Sequence, residues 1–377
     1  MPNNKVCHIT TVHSPFDVRI FHKECKTLAN AGYDVILIAQ HDKDEVVVDG
    51  VQIIALPKTK SRIHRMITLP LKAFHLALKQ NANIYHFHDP ELLPVGLALK
   101  LITKSKVIYD VHEDCEKDML SKPYLPERAR RFVAIAIKIA EWVISRIFDG
   151  IVPATDDISS NFSNHQRVVV VKNFPVLSDF TEIKRNIRNA GDIFNLIYVG
   201  CLTEIRGITQ MIQSLEFINS QKRVKLTLFG KFYPLNYEEQ IKSLKGFEKV
   251  EHLGWIRPQE IPEEITQSDV GIVCFLPEPN HINAMPTKLF EYMACGIPVI
   301  VSNFPLWKEI VEGNNCGVCV DPLNHKEIAK AVEYLIDHPD EAKRMGENGR
   351  KAVEEKYNWE NENKKLLEVY EKLCVKS

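Results

Sequence analysis

Apolar residues in this 377-residue chain follow two rhythms. Short, nearly unbroken apolar runs recur at Lys5–Val12, Asp34–Ala39, IYHFH, KVIYDV, Ile151–Pro153, Val168–Val171, Phe194–Val199, Lys225–Gly230, Val250–Ile256, Val270–Phe275 and Ile297–Ser302. Longer stretches between them carry apolar positions three and four apart. Buried parallel strands give the first pattern and amphipathic crossover helices the second, so the alternation predicts repeated βαβ units. The fullest example runs from Val270 to Asn303: a strand to Phe275, a proline-broken loop over Pro277–Met285, a helix over Pro286–Cys295 and a strand over Ile297–Ser302. Pro286 suits the first helical position, where a missing N–H costs nothing, and Gly296 suits the position just past the end, where φ > 0 is common. In such a unit the loop and helix N-terminus lie at the carboxyl edge of the sheet, where backbone N–H groups favour anions. Lys288 falls in the first helical turn and Glu291 three residues on, on the same face. One short element thus offers a cation for phosphate and a carboxylate for hydroxyls, as a sugar nucleotide requires. Taken alone, the two charges equally suit a solvated helix start.

The run P-x-K-x-x-E-Y-M-A-x-G-x-P-V-I, from Pro286 to Ile300, resembles the donor-site element of glycosyltransferase family 4, retaining enzymes of the GT-B fold. The resemblance implies an α/β protein of two doubly wound, Rossmann-like domains facing a cleft. It also implies transfer of a hexose-type sugar from a nucleotide-sugar donor, without metal and without any cofactor beyond the donor. Glu291 matches the carboxylate that binds the nucleotide ribose. The family usually carries a second Glu eight residues earlier, near the transferred sugar; here that position is Asn283. GCLTEIRGI, beginning at Gly200, is similar to the family's G-R-L-x-x-x-K-G loop, whose two cations hold the donor diphosphate. Arg206 takes the place of the Lys and Cys201 that of the Arg, which gives Lys288 more of the phosphate to hold. KLTLFG and VEHLGWI are similar to base-binding segments, making Trp255 and Ile256 donor-side candidates. Arg206 and Lys288, with a helix N-terminus, are expected to support the departing diphosphate.

In the first half, the Lys5–Val12 strand leads into HSPFDVRIFHKE, a helix to Ala31 and a stop at Gly32. This is again βαβ, without a glycine fingerprint. Asp17 and Arg19 form a pattern associated with a subgroup that builds surface polysaccharides. Arg19 is a candidate for an acceptor phosphate, with a structural ion pair as the other reading. IYHFHDPELL and KVIYDVHEDCE are strands that end in His86, His88 and Asp89, and in Asp110, His112 and Glu113. Parallel strands bring these ends to one edge. A His flanked by carboxylates suits proton transfer or a bond to a sugar hydroxyl, while no metal-ligand spacing stands out. YDVHE matches the family's cleft His that contacts the donor sugar, so the resemblance carries that catalytic role to His112. Glu113 and Asp89 are acceptor-side candidates.

Composition, 45% hydrophobic and 26% charged, describes a globular chain of two large domains, and a net charge of −1 gives no reason to expect nucleic acid. No apolar run reaches membrane-spanning length and the N-terminus lacks a signal-peptide core, which predicts a cytoplasmic protein. Nine Cys then imply reduced thiols, with the Cys316/Cys319 pair read as structural. One stretch departs from the average. Val51 through His88 holds no acidic residue, yet carries Lys58, Lys60, Arg62, Arg65, Lys72 and Lys79 among apolar positions at helical spacing. This fits contact with an anionic membrane, on its inner face, through residues 58–79, or a grip on a lipid diphosphate. A core helix with a basic solvated face explains the same letters. Pro126–Phe148 reads as a long helix whose Phe132, Ile135, Ile139, Trp142, Val143 and Ile147 are expected in the core, with membrane contact as the lesser reading.

The reading divides the chain into an acceptor-side domain over 1–172, a linker over 173–192, a nucleotide-sugar domain over 193–358 and a final helix over 359–377 that crosses back to the first domain. The expected acceptor is a glycan or a polyprenyl-diphosphate-linked sugar in capsule, O-antigen or exopolysaccharide biosynthesis. A sugar-nucleotide 2-epimerase on the same fold is one rival. The other is a non-catalytic nucleotide-binding partner subunit, suggested by Asn283 and Cys201.

Overall fold

A computed structural model describes residues 4–43, 45–59, 62–120, 126–181 and 193–374. The chain forms two compact units, Met1–Asn173 with Trp359–Ser377, and Phe174–Asn358. The first is built on seven strands: β1 (Lys5–Ile9), β2 (Asp34–Gln40), β3 (Glu45–Val48), β4 (Val51–Leu56), β5 (Ile84–Phe87), β6 (Lys106–Val111) and β7 (Gly150–Pro153). They lie in the order β3-β4-β2-β1-β5-β6-β7. All pairs are parallel except β3 with β4, a hairpin that the sequence pattern did not reveal. Asp49 and Gly50 turn it, with φ of 50° and 77°. The unbroken apolar runs are explained by burial on both faces: β5 has no exposed residue and β2 only partly exposed ends.

The second unit holds β8 (Ile193–Val199), β9 (Arg223–Phe229), β10 (Val250–Gly254), β11 (Val270–Val273), β12 (Val299–Ser302) and β13 (Gly317–Val320). Their order is β10-β9-β8-β11-β12-β13, all parallel. Each sheet starts in its middle and winds outward both ways. The switch points lie between β1 and β5 and between β8 and β11, where a doubly wound sheet opens a crevice at its carboxyl edge.

Three expectations are revised. The linker expected over 173–192 begins inside a core, because Phe174 is buried with its ring 4.7 Å from Phe290 and 5.4 Å from Tyr357; residues 182–192 lie outside the described ones. Val168–Val171 joins β7 through a single bridge at Val168 and adds no strand. The Glu127–Ser145 helix turns its apolar stripe outward: Phe132 is 75% exposed and Ile135, Ile139 and Trp142 are exposed too, while Ala134, Glu141 and Ser145 are buried. Periodicity fixes that a helix has two faces, and small residues on the other face allowed closer packing there. The Trp359–Cys374 helix belongs to the first unit, burying Leu366, Val369, Tyr370 and Leu373, and Trp359 Nε1 donates to Thr27 Oγ1 at 2.9 Å.

Candidate active site

In the second unit β8 ends at Val199, and Gly200 follows with φ of +137°. A Cβ at Gly200 would lie 3.1 Å from Cε and Nζ of Lys288 and 3.4 Å from Nη1 of Arg206, so the two cations approach each other over bare backbone. Arg206 sits in the Glu204–Arg206 turn, and Gly207, at φ of +72°, leads into the Ile208–Ser214 helix. A Cβ on Gly207 would collide with the Cys274 carbonyl oxygen at 1.8 Å, so glycine permits the loops after β8 and β11 to meet. Leu276 N donates to Ile205 O at 2.9 Å across the same meeting point.

Lys288 is buried in the first turn of the Thr287–Ala294 helix, its Nζ 5.3 Å from the ring centre of Tyr198 and 5.1 Å from that of Phe275. The Arg206 guanidinium stands 5.5 Å from the Phe275 ring. Burial, with the Arg206 charge adding to it and Glu291 opposing, draws the Lys288 ammonium down to about 7. Among the described residues no carboxylate forms a salt bridge with Arg206 or Lys288. A buried Lys288 beside a partly buried Arg206 is costly until an anion joins them, and a diphosphate supplies that charge. Glu291 is partly buried one turn further on, and Asn283 is exposed at the end of the Pro279–Ile282 turn. Trp255 is exposed past the carboxyl end of β10, on the edge of the sheet, and Ile256 packs partly against the core.

In the first unit, Asp17 caps the Val18–Cys25 helix by accepting from Arg19 N at 2.9 Å and Ile20 N at 3.0 Å. Arg19 then points inward. Its Nη2 and Nε donate to the two Asp110 oxygens at 2.9 and 3.2 Å, and its Nη1 to Val171 O at 2.7 Å. Glu24 lies 3.0 Å from Nε. Burial opposes both charges, yet Arg19 holds the Asp110 carboxyl well below the carboxylate range, while burial and then Asp110 push Glu24 well above it. His8, His86 and His88 are buried around this group, and desolvation pushes each imidazole below its ordinary range. His112 follows β6 with its side chain 15% exposed, Nε2 lying 3.2 Å from His88 Nδ1 and 3.5 Å from Asp110 Oδ1.

Two of the acceptor-side candidates take structural roles. Arg19 is buried and its donors are committed to Asp110 and Val171, so it does not reach for an acceptor phosphate. Asp89 is buried too. It accepts from Thr10 Oγ1 at 2.9 Å, Val12 N at 3.2 Å and Thr11 N, and so shapes the loop after β1. Glu113 is exposed beside His112. Sequence reasoning missed His13, whose ring lies 4.9 Å from that of His112 and whose nitrogens approach Asp17 and Asp89 at 3.4 and 3.5 Å. Burial disfavours its cation, but those carboxylates outweigh it and raise its affinity for a proton. The i,i+4 spacing of His13 and Asp17 was the available signal. His13 also borders an open cavity of about 610 Å³ with Phe16, Gln40, His41 and Lys58. Two sets, His8/Glu24/His86/His88 and His88/Asp110/His112, hold ligand-type atoms within 4.8 Å of one another. Arg19 already occupies the cation position between the Glu24 and Asp110 carboxylates.

Both switch points therefore carry polar groups, and the one in the second unit is a paired-cation site. Two family models match this chain: Glycosyltransferase Family 4 over residues 18–174 and Glycosyl transferases group 1 over residues 179–352. The chain belongs to the family 4 glycosyltransferases. The enzyme is 28% identical over 311 residues to an uncharacterized glycosyltransferase of Methanocaldococcus jannaschii, covering 76% of this chain and 75% of the relative. A capsular polysaccharide biosynthesis glycosyltransferase of Staphylococcus aureus is 23% identical, with 95% of this chain and 94% of the relative covered. Among solved structures, sucrose-phosphate synthase of Thermosynechococcus elongatus superposes with a TM-score of 0.82 at 19% identity, over 99% of this chain and 100% of the other. That likeness is one of fold. The glycosyltransferase thus has the GT-B architecture, and neither the epimerase nor the non-catalytic subunit finds support in these relatives.

Proposed function

We propose that this glycosyltransferase moves a sugar, with retention, from a nucleoside-diphosphate donor to a glycan or polyprenyl-diphosphate-linked acceptor in surface-polysaccharide biosynthesis. The observation that carries the reading is the pairing of buried Lys288 with partly buried Arg206 over Gly200, without a carboxylate in salt-bridge contact among the described residues. Charge develops on the leaving diphosphate as the glycosidic bond breaks, and preorganised cations in a low-dielectric site stabilise it most in the transition state. Glu291 takes the ribose hydroxyls, Asn283 the sugar side, and Trp255 and Ile256 the base. His112 meets a hydroxyl of the sugar. With two cations in place, the chemistry needs no metal.

The reading extends to location at the inner face of the membrane. Among the described residues no helix is long and apolar enough to cross a bilayer. Surface contact has better support: Met66, Ile67 and Leu71 are exposed on the Arg62–Gln80 helix beside exposed Lys72. Lys58 and Arg65 contribute less than their number suggests, being paired with Asp42 and Glu91; Lys60 lies outside the described residues. The acceptor relationship fits the capsular relative, whose name describes such a pathway.

The test is incubation with a panel of nucleoside-diphosphate sugars. Slow, EDTA-insensitive release of nucleoside diphosphate and free sugar is expected from one base class, with proton NMR showing the first-released sugar in the donor's anomeric configuration. Accumulation of an epimerised sugar nucleotide without acceptor, or inversion at the anomeric carbon, contradicts the reading.

A further inference from the structure

Four imidazoles and one phenol in the first unit form an unbroken line of polar contacts. Tyr370 Oη, on the Trp359–Cys374 helix, lies 2.6 Å from His86 Nδ1 and 3.2 Å from His8 Nε2. His8 Nδ1 lies 2.9 Å from His88 Nε2, and His88 Nδ1 lies 3.2 Å from His112 Nε2. The β1–β5 register sets this up, since His8 pairs directly with His86 and His88 follows two residues on, on the same face. All of these groups but His112 are buried.

Desolvation keeps His8, His86 and His88 below their ordinary range, so near neutral pH each ring carries one proton. A neutral imidazole has one N–H and one lone pair, and each interior ring is engaged through both nitrogens. The line therefore closes in two arrangements. In the first, every ring is protonated on Nε2: His112 donates to His88, His88 to His8, His8 to Tyr370, and the Tyr370 hydroxyl to His86. In the second, every ring is protonated on Nδ1 and every bond is reversed. A mixed set sets two N–H groups or two lone pairs against each other, or strands the buried Tyr370 hydroxyl, at the cost of an unmade hydrogen bond.

Asp110 distinguishes the two. Its carboxylate lies 3.7 Å from His86 Nε2, 3.5 Å from His112 Nε2 and 3.4 Å from His88 Nδ1. The first arrangement turns two N–H groups and one lone pair toward this anion; the second turns two lone pairs and one N–H. Arg19 fixes the carboxylate in place, and at low effective dielectric the first arrangement is favoured. His86 Nε2 has no other partner, so its N–H is best placed facing Asp110.

We propose that Asp110, acting through the line Tyr370–His8–His88, holds His112 as the Nε2–H tautomer, so that His112 offers substrate a lone pair on Nδ1. His112 then accepts a hydrogen bond or proton from a sugar hydroxyl. Asp110, His8, His88 and Tyr370 are positioning residues. The consequence for substrate rests on the reading of His112 given above, whereas the tautomer itself does not.

The test is ¹⁵N NMR of histidine-labelled full-length protein at neutral pH without donor or acceptor, with signals assigned by single His→Gln variants. All four rings are expected with a protonated Nε2 and a bare Nδ1. Any of the four found as the Nδ1–H form, or averaging evenly between forms, overturns the proposal. One retained equivalent of zinc or another divalent ion on the purified chain also overturns it, because a metal would occupy the ring lone pairs. Tyr370→Phe keeps the ring but uncouples His86 from His8, and the minor tautomer of His112 should rise several-fold, with kcat falling and donor KM held. A Tyr370 that serves packing alone would lower Tm and leave the His112 signals unmoved. Since the tautomer is read without turnover, a failed transfer assay and a failed tautomer assignment are separate results.

Discussion

A Cβ on Gly200 would stand 3.1 Å from Nζ of Lys288. The absence of a side chain at one residue thus sets the position of a cation 88 positions along the chain. Gly200→Ala should push Lys288 off the site and strain a backbone held at φ of +137°, lowering nucleoside-diphosphate affinity at least tenfold and stability by roughly 1–3 kcal/mol. Gly32→Ala is the control, because Gly32 has φ of +88° and nothing within 4 Å of its Cβ position. It should lose stability alone. Calorimetric titration and thermal melts on both variants check the pair, and equal binding by Gly200→Ala and wild type would contradict the packing argument.

The Lys288 ammonium, at about 7 in the unliganded protein against 10.5 ordinarily, gives diphosphate binding a pH dependence. A bound anion restores the charged form, so above pH 7 binding takes up a proton. Affinity should fall as pH rises from 7 toward 9, by up to about tenfold per unit. Stability of the unliganded protein runs the other way. Between 7 and 10.5 the unfolded chain binds the extra proton, so the cost of burying Lys288 is full below 7 and relieved as pH rises through this window. Titrations in buffers of different ionisation enthalpy measure the proton directly, and Lys288→Met should flatten the profile.

The Arg206–Lys288 pairing was legible in sequence because its signals are local. Pro286, Lys288, Glu291 and Gly296 lie on one helix and its ends, and Gly200, Arg206 and Gly207 on one loop. Spacing alone places such groups. Arg19 and Asp89 misled because their partners are remote: Asp110 is 91 residues from Arg19, and the Thr10 hydroxyl 79 residues from Asp89. A charged residue in a loop gives no sign of whether the fold will turn it inward. The same limit applies to the Glu127–Ser145 helix, where the letters specify an apolar stripe and only the packing of Ala134, Glu141 and Ser145 decides which side meets the sheet.

That outward stripe, with Met66, Ile67 and Leu71, predicts weak attachment to membranes. Apolar side chains at the interface add to exposed cations such as Lys72 and Lys79, each worth about 1 kcal/mol near an anionic surface. Sedimentation with liposomes should show binding that requires anionic lipid and falls as salt rises. A Met66→Ser, Ile67→Ser, Phe132→Ser variant should stay in the supernatant. Equal pelleting of both proteins would leave these residues as ordinary surface.

The central claim is that a nucleoside-diphosphate sugar binds the second unit through Arg206, Lys288 and Glu291, and calorimetric titration of the preferred donor into wild type and variants tests it most directly. A hydrogen bond to a charged group contributes roughly 1.5–3 kcal/mol, so Glu291→Ala should weaken binding about ten- to a hundredfold, and the Arg206→Ala, Lys288→Ala double variant by more. The account predicts that loss in proteins that keep the wild-type melting behaviour. Undiminished donor affinity in the folded double variant would contradict it.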